Sequence, residues 1–320
     1  MDGLRGRGSP EAAPAPEAGD VAFLQYAPGD RYARLLARIG TAGMTGIHTT
    51  FIDGTPRLAV DRAGSGPLVL LMHGIGGNRS NWTAQIDALR DSFHAVAWDA
   101  RGYGDSEDYE GPLDFGEFAR DAIRVLDRFE AEKAHLVGVS MGGRIAQDFH
   151  ARFPERVATL VLCDTMSDFR GSMTPEKRAE FIRLRQAPLK AGKEPRDIAD
   201  ALVDSLVGPH ATESARRQLW DSIAALHKDS YLKTIEASLS FDRSAEIDRI
   251  SVPTLLLYGS HDRLTPPDIG RALHRRIPGS EFVEIDNAGH LSNIEQPAAF
   301  NAALLAFLGK HRDRAGGSRA

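Results

Sequence analysis

The chain has 320 residues, of which 42% are hydrophobic and 26% charged, with a formal net charge of −5. That length is enough for one large domain or for a domain carrying an insertion. The charge gives no footing for a nucleic-acid partner. The lone Cys163 excludes an internal disulfide and a thiolate metal centre, and no apolar stretch reaches the roughly 18–20 residues that cross a bilayer.

Residues 1–43 open with a run rich in Ala, Pro, Glu and Gly, expected to form a disordered leader. No hydrophobic segment follows Arg5 and Arg7, so a secretory signal is not expected and the cytoplasm is the expected location. Tyr32, Leu35, Leu36 and Ile39 follow helical spacing. They predict a short helix over 30–39 that packs on the core or on a second copy of the chain, which leaves a homo-oligomer open. From Gly46 the pattern turns extended. Residues 47–52 and 57–61 read as strands joined by Asp53-Gly54, a hairpin dipeptide. The runs 68–72, 95–98, 135–139, 158–162, 254–258 and 281–285 read as further strands. Leu68-Val69-Leu70-Leu71-Met72 is apolar at every position, as a parallel strand buried on both faces must be.

Helical patterns separate these strands. Trp82, Ile86 and Leu89 share one face, and Phe115, Phe118, Ala119, Ala122, Leu126 and Phe129 share another. A helix over 143–153 ends at Pro154. The last helix opens with Pro297 and runs through Phe300, Leu304, Leu305 and Leu308. Strands alternating with helices imply an α/β fold, a mostly parallel sheet with helices on both faces. The alternation fails over 164–250, where helices are expected at 175–185, 195–207, 212–226 and 230–238. Such an insertion reads as a cap over the carboxyl ends of the strands, where these sheets bind ligands. The expected organisation is therefore a core of 44–163 and 251–313, a helical cap of 164–250 and a disordered tail of 314–320.

The chemistry concentrates in three turns that follow strands. Gly138-Val139-Ser140-Met141-Gly142-Gly143 has the form of a nucleophile elbow, a strand-to-helix turn that lifts a serine hydroxyl out of the sheet. Serine needs a base to take its proton, and a histidine base needs a carboxylate to fix its tautomer. Asp262, in Gly259-Ser260-His261-Asp262-Arg263, and His290, in Asn287-Ala288-Gly289-His290-Leu291, supply these in the order serine, acid, histidine. The N–H groups of Met141 and Ile75 are the expected oxyanion donors. Asp164 is the alternative acid. His73 is expected to brace the glycine loop Gly74-Ile75-Gly76-Gly77, and Asp99 to organise a turn. That loop lacks the third glycine of a dinucleotide fingerprint, and no paired-histidine metal motif occurs, so neither cofactor nor metal is expected. Cys163 follows an apolar run and is expected to be a buried structural thiol.

The His73-Gly74 loop, the run 99–106, the Ser140 elbow, Asp262 and His290 together resemble the α/β-hydrolase superfamily over roughly residues 46–308. Within it, His290-Leu291-Ser292-Asn293-Ile294-Glu295-Gln296-Pro297 and Pro266-Pro267 are similar to the 3-oxoadipate enol-lactonases and their relatives. The leader 1–43 departs from those enzymes, which start shortly before the core. Ser140 stands where epoxide hydrolases and haloalkane dehalogenases carry aspartate. Val139 and Leu291 differ from the Asn and Trp common in carbon–carbon bond hydrolases. The resemblance implies a cofactor-free serine hydrolase of a small ester or lactone. The alternatives are carbon–carbon bond hydrolysis or a perhydrolase or haloperoxidase reaction on the same triad, and a non-catalytic binding protein. An acidic substrate would pair with an arginine such as Arg144, Arg183 or Arg185. Trp82 and Arg144 are the candidate substrate contacts.

Overall fold

The structure, a computed structural model, describes residues 46–316. The expected leader, its helix at 30–39 and residues 317–320 of the expected tail lie outside the described residues. Strands β1 (His48–Ile52), β2 (Leu58–Ala63), β3 (Leu68–Met72), β4 (His94–Trp98), β5 (Ala134–Val139), β6 (Val157–Cys163), β7 (Thr254–Gly259) and β8 (Glu281–Ile285) form one eight-stranded sheet in the order β1-β2-β4-β3-β5-β6-β7-β8. The β1–β2 and β2–β4 pairs are antiparallel, and every pair from β4 to β8 is parallel. Leu70, Leu71, Leu136, Val137, Leu160, Val161 and Leu256 are all wholly buried. Successive strand residues face opposite sides of a sheet, so burial at every position requires cover on both faces.

That cover comes from α1 (Thr83–Leu89), α2 (Gly116–Arg128), α3 (Met141–Arg152) and, after the insertion described below, α10 (Pro267–Arg276) and α12 (Pro297–Lys310), with the short α11 (Ser292–Glu295) between these two. The β1–β2 hairpin is looser than Asp53-Gly54 suggests. Ile52 pairs with Leu58, leaving a five-residue link, 53–57, in which Gly54 takes a φ of +131° and the Thr55-Pro56 bond is cis. The chain also stays ordered past residue 313. Arg312–Ala315 makes a 3-10 turn whose Ala315 is buried, so the expected tail at 314 begins too early.

Between β6 and β7 the described residues form no strand. They form α4 (Phe169–Ser172), α5 (Pro175–Arg185), α6 (Ala187–Lys190), α7 (Pro195–Leu206), α8 (Glu213–Ala224) and α9 (Lys228–Leu239), then a 3-10 turn, Ser244–Arg249. The Thr174 side chain accepts from the Lys177 N–H and that of Thr212 from the Ala215 N–H, each covering a donor that a helix start leaves orphaned. Pro175 and Pro195 begin their helices, where a missing N–H costs nothing. An isolated bridge pairs Asp168 with Asp242. The Phe169 N–H donates to Phe241 O (3.2 Å) and the Arg243 N–H to Ser167 O (2.7 Å). The segment therefore leaves and rejoins the core at one pinned neck.

Candidate active site

Ser140 joins β5 directly to α3 and takes φ +53°, ψ −111°. L-residues rarely adopt such a backbone, and it persists only where the surroundings impose it. Glycine is required on either side. A Cβ on Gly138 would lie 2.2 Å from the Gly142 carbonyl, and one on Gly142 would lie 2.0 Å from Met72 O. The elbow can be tight only because both positions lack side chains.

His290 and Asp262 reach the same point from the turns after β8 and β7. The His290 Nε2–Ser140 Oγ distance is 2.9 Å, and His290 Nδ1–Asp262 Oδ2 is 2.8 Å. Asp262 Oδ1 accepts from the N–H groups of Leu264 (2.8 Å) and Thr265 (3.0 Å), and Oδ2 from the Thr265 hydroxyl (2.5 Å). Burial alone would raise the Asp262 carboxyl; the charge of His290 and the hydrogen bonds from His290 and Thr265 outweigh it and hold the group below the usual carboxylate range. An ionised carboxylate accepting the Nδ1 proton leaves Nε2 free to accept from Ser140. This chain of bonds can therefore deprotonate a serine hydroxyl.

Asp164 does not face His290. Its carboxylate accepts from the Gly259 N–H (2.8 Å), the Ser292 N–H (3.2 Å) and the Ser292 hydroxyl (2.6 Å). Burial, and then repulsion from Asp262, push it well above the usual range. Its contacts brace the Asp262 and His290 turns. Glu295 braces the histidine turn from the other side. It is buried and accepts from the N–H groups of Gly289 (3.0 Å), Leu291 (3.3 Å) and, across the insertion, Gly208 (2.7 Å). The His290 N–H donates to Leu206 O (2.8 Å), so the end of α7 holds the histidine backbone. Sequence reasoning missed Thr265 and Glu295. The only available signal was their spacing of three residues from Asp262 and five from His290.

The Ile75 and Met141 N–H groups donate to no group among the described residues. Met141 follows Ser140 in the chain, Ile75 lines a cavity with it, and a Cβ added to Gly74 would lie 3.9 Å from the Ser140 hydroxyl. His73 is wholly buried. Its Nδ1–H donates to Gly74 O (2.8 Å) and its Nε2 accepts from the Ala100 N–H (3.1 Å), so it holds the glycine loop as expected. Burial lowers its pKa and favours this neutral form. Asp99 accepts from the N–H groups of Arg79 (2.7 Å) and Asp105 (2.8 Å), organising its turn. Cys163 is buried and unpaired. No cluster of three or more potential metal ligands occurs among the described residues.

Two cavities meet at Ser140. One, of about 270 Å³ counting what opens to solvent, adds Arg144, Phe169 and Phe181 to Ile75 and Ser140. The other, of about 450 Å³ on the same measure, adds Arg185, Tyr231 and His290. Residues of the insertion thus line both cavities beside the serine. Arg144 is buried with no carboxylate partner among the described residues. It lies among Phe115, Phe169 and Phe241 at 5.6–5.8 Å, donates weakly to Ser238 O (3.4 Å), and has its pKa lowered to about 10 by burial. Arg183 is exposed and paired with Glu180, which removes it as a substrate contact. Trp82 is also removed. It is wholly buried, 6.2 Å from the ring of Phe300, and lines neither cavity. A Trp at helical spacing with Ile86 and Leu89 carries the same signal whether it faces core or cleft. Trp82→Ala is expected to cost about 3–5 kcal/mol of stability and to leave substrate preference unchanged, as checked by urea unfolding beside an ester panel. An altered preference would put Trp82 back at the site.

The model of the alpha/beta hydrolase fold family matches residues 67–297. 3-Oxoadipate enol-lactonase 2 of Acinetobacter baylyi is 28% identical, with 76% of this chain and 88% of that protein covered. The putative carbamate hydrolase RutD of Azorhizobium caulinodans is 31% identical, covering 77% of this chain and 93% of its own length. Among solved structures, the enol-lactonase from Burkholderia xenovorans LB400 superposes with a TM-score of 0.70 at 27% identity, covering 81% of this chain and 100% of that one.

Proposed function

The chain belongs to the α/β-hydrolase family, and on that premise we propose that it is a serine hydrolase cleaving a small ester or lactone through a covalent acyl-enzyme. The observation that carries this reading is the unbroken chain Ser140 Oγ–His290 Nε2, 2.9 Å, and His290 Nδ1–Asp262 Oδ2, 2.8 Å. As the Ser140 oxygen attacks the substrate carbonyl carbon, its proton passes to His290 Nε2. The carbonyl oxygen takes up the negative charge and is held by the Ile75 and Met141 N–H groups. The tetrahedral species collapses, and the departing alkoxide takes the proton from His290. A water molecule then loses a proton to His290 and attacks the ester on Ser140, releasing the acid and restoring the hydroxyl. A lactone follows the same steps with its leaving oxygen still tethered. No step calls for a cofactor. Arg144, which lines the smaller cavity, is the residue to meet an acidic acyl group.

The similarity to a putative carbamate hydrolase favours a second reading on the same triad, since a carbamate presents the same carbonyl with a poorer electrophilic carbon. Rapid mixing with p-nitrophenyl acetate tests the acyl-enzyme. The expected result is a burst of one p-nitrophenolate per active site followed by slower turnover. Linear release from the first turnover, with added hydroxylamine failing to speed the steady rate, would count against it.

A further inference from the structure

Arg185 is 3% exposed and Tyr231 is wholly buried, and both line the larger cavity together with Ser140 and His290. The Arg185 guanidinium makes no hydrogen bond or ion pair among the described residues. Its guanidinium carbon lies 4.3 Å from the centre of the Phe181 ring. The acidic group beside it, Glu180, is paired with Arg183 instead. The Tyr231 hydroxyl is likewise buried with no hydrogen-bond partner among the described residues. Burial depresses the Arg185 guanidinium and pushes Tyr231 up to about 12, and each feels the other electrostatically. A buried guanidinium without a counter-charge is costly, and proteins pair such groups. Here two donors with no acceptor face one cavity that ends at the reacting serine.

Resting on the hydrolase reading, we infer that Arg185 and Tyr231 form a carboxylate subsite, and that the carboxylate belongs to the leaving-group side of the substrate. A planar guanidinium and one hydroxyl match the two oxygens of a carboxylate. A single positive charge neutralises a single negative one. The side follows from His290. The group that returns the proton to the leaving oxygen lines the larger cavity and not the smaller one, so the leaving alcohol occupies the larger cavity and the acyl group the smaller. Leu202, Leu206, Leu219 and Ile223 line the same cavity, which suits a short aliphatic spacer. The substrate class is a small ester or lactone of a hydroxy acid, with its free carboxylate on the alcohol carbon chain.

Two matched pairs of esters test this. In 3-acetoxypropanoate and its amide the charge lies on the alcohol side; in monomethyl succinate and methyl succinamate it lies on the acyl side. The ratio of kcat/KM for 3-acetoxypropanoate over its amide is expected to exceed 10 and to fall about 100-fold in Arg185→Met, with part of the loss restored by Arg185→Lys. In Tyr231→Phe it falls about 10-fold. The succinate ratio does not respond to Arg185. If the succinate ratio falls and the acetoxypropanoate ratio does not, the assignment of sides is overturned. If both pairs turn over without responding to Arg185, the subsite is overturned while the hydrolase reading stands. If nothing turns over, calorimetric binding of 3-acetoxypropanoate to Ser140→Ala decides. Binding that disappears in Ser140→Ala/Arg185→Met supports the subsite without the chemistry, and equal binding to both proteins overturns it.

Discussion

Ser140→Ala is expected to lower kcat about 10⁶-fold, with the melting temperature almost unchanged. The size of the loss follows from what one atom does. Without the hydroxyl no acyl-enzyme forms, and His290 has no nucleophile to deprotonate. What survives is the donor pair at Ile75 and Met141 and the cavity itself, which together leave a residual rate well above that of water alone. Stability is spared because alanine at φ +53° meets the same backbone strain as serine, and because the hydroxyl makes a single bond, to His290. Circular dichroism melting beside steady-state kinetics checks both halves. A variant retaining a tenth of wild-type kcat would remove Ser140 from the reaction.

Asp262→Asn is expected to cost about 10⁴-fold in kcat, or about 5 kcal/mol of barrier. The carboxylate accepts four hydrogen bonds and donates none. In asparagine one oxygen becomes an NH₂. The Leu264 and Thr265 N–H groups hold the remaining oxygen at the Oδ1 position, so the NH₂ faces His290 Nδ1. Two donors cannot share that contact. His290 must move its proton to Nε2, and there it can no longer accept from Ser140. Asp164→Asn has no such effect on the tautomer, since Asp164 bonds to Gly259 and Ser292 rather than to His290. Its expected loss in kcat is within about 10-fold and is accompanied by lower stability. Comparable losses from the two variants would return Asp164 to contention as the acid.

The extent to which this arrangement could be read from sequence varied with the kind of signal. The parallel strands β3, β5, β6 and β7 were legible because burial on both faces forces largely apolar runs. The elbow was legible because Gly138 and Gly142 are held by sterics within a few residues of Ser140. Asp262 and His290 could be placed near Ser140 because each lies on the turn after a strand, β7 and β8. Longer-range relations were not legible. Helix α10 carries Pro267 at its start but was masked by the proline pair that marked the acid turn. Thr265 and Glu295 act through hydrogen bonds that exist only once the turns after β7 and β8 meet. Trp82 fell to the core and Arg183 to the surface because a lone helical position carries no sign of what it faces. Arg185 and Arg183 sit two residues apart on one helix, with nothing in the sequence to say which is buried.

The central claim is that Ser140 is the residue that becomes acylated. Labelling with an alkyl fluorophosphonate, followed by intact-protein mass measurement and peptide mapping, tests it most directly. The account predicts one adduct per chain, located on the peptide that contains Ser140 and absent from Ser140→Ala. An adduct mapping to another residue, or equal labelling of the two proteins, would contradict it.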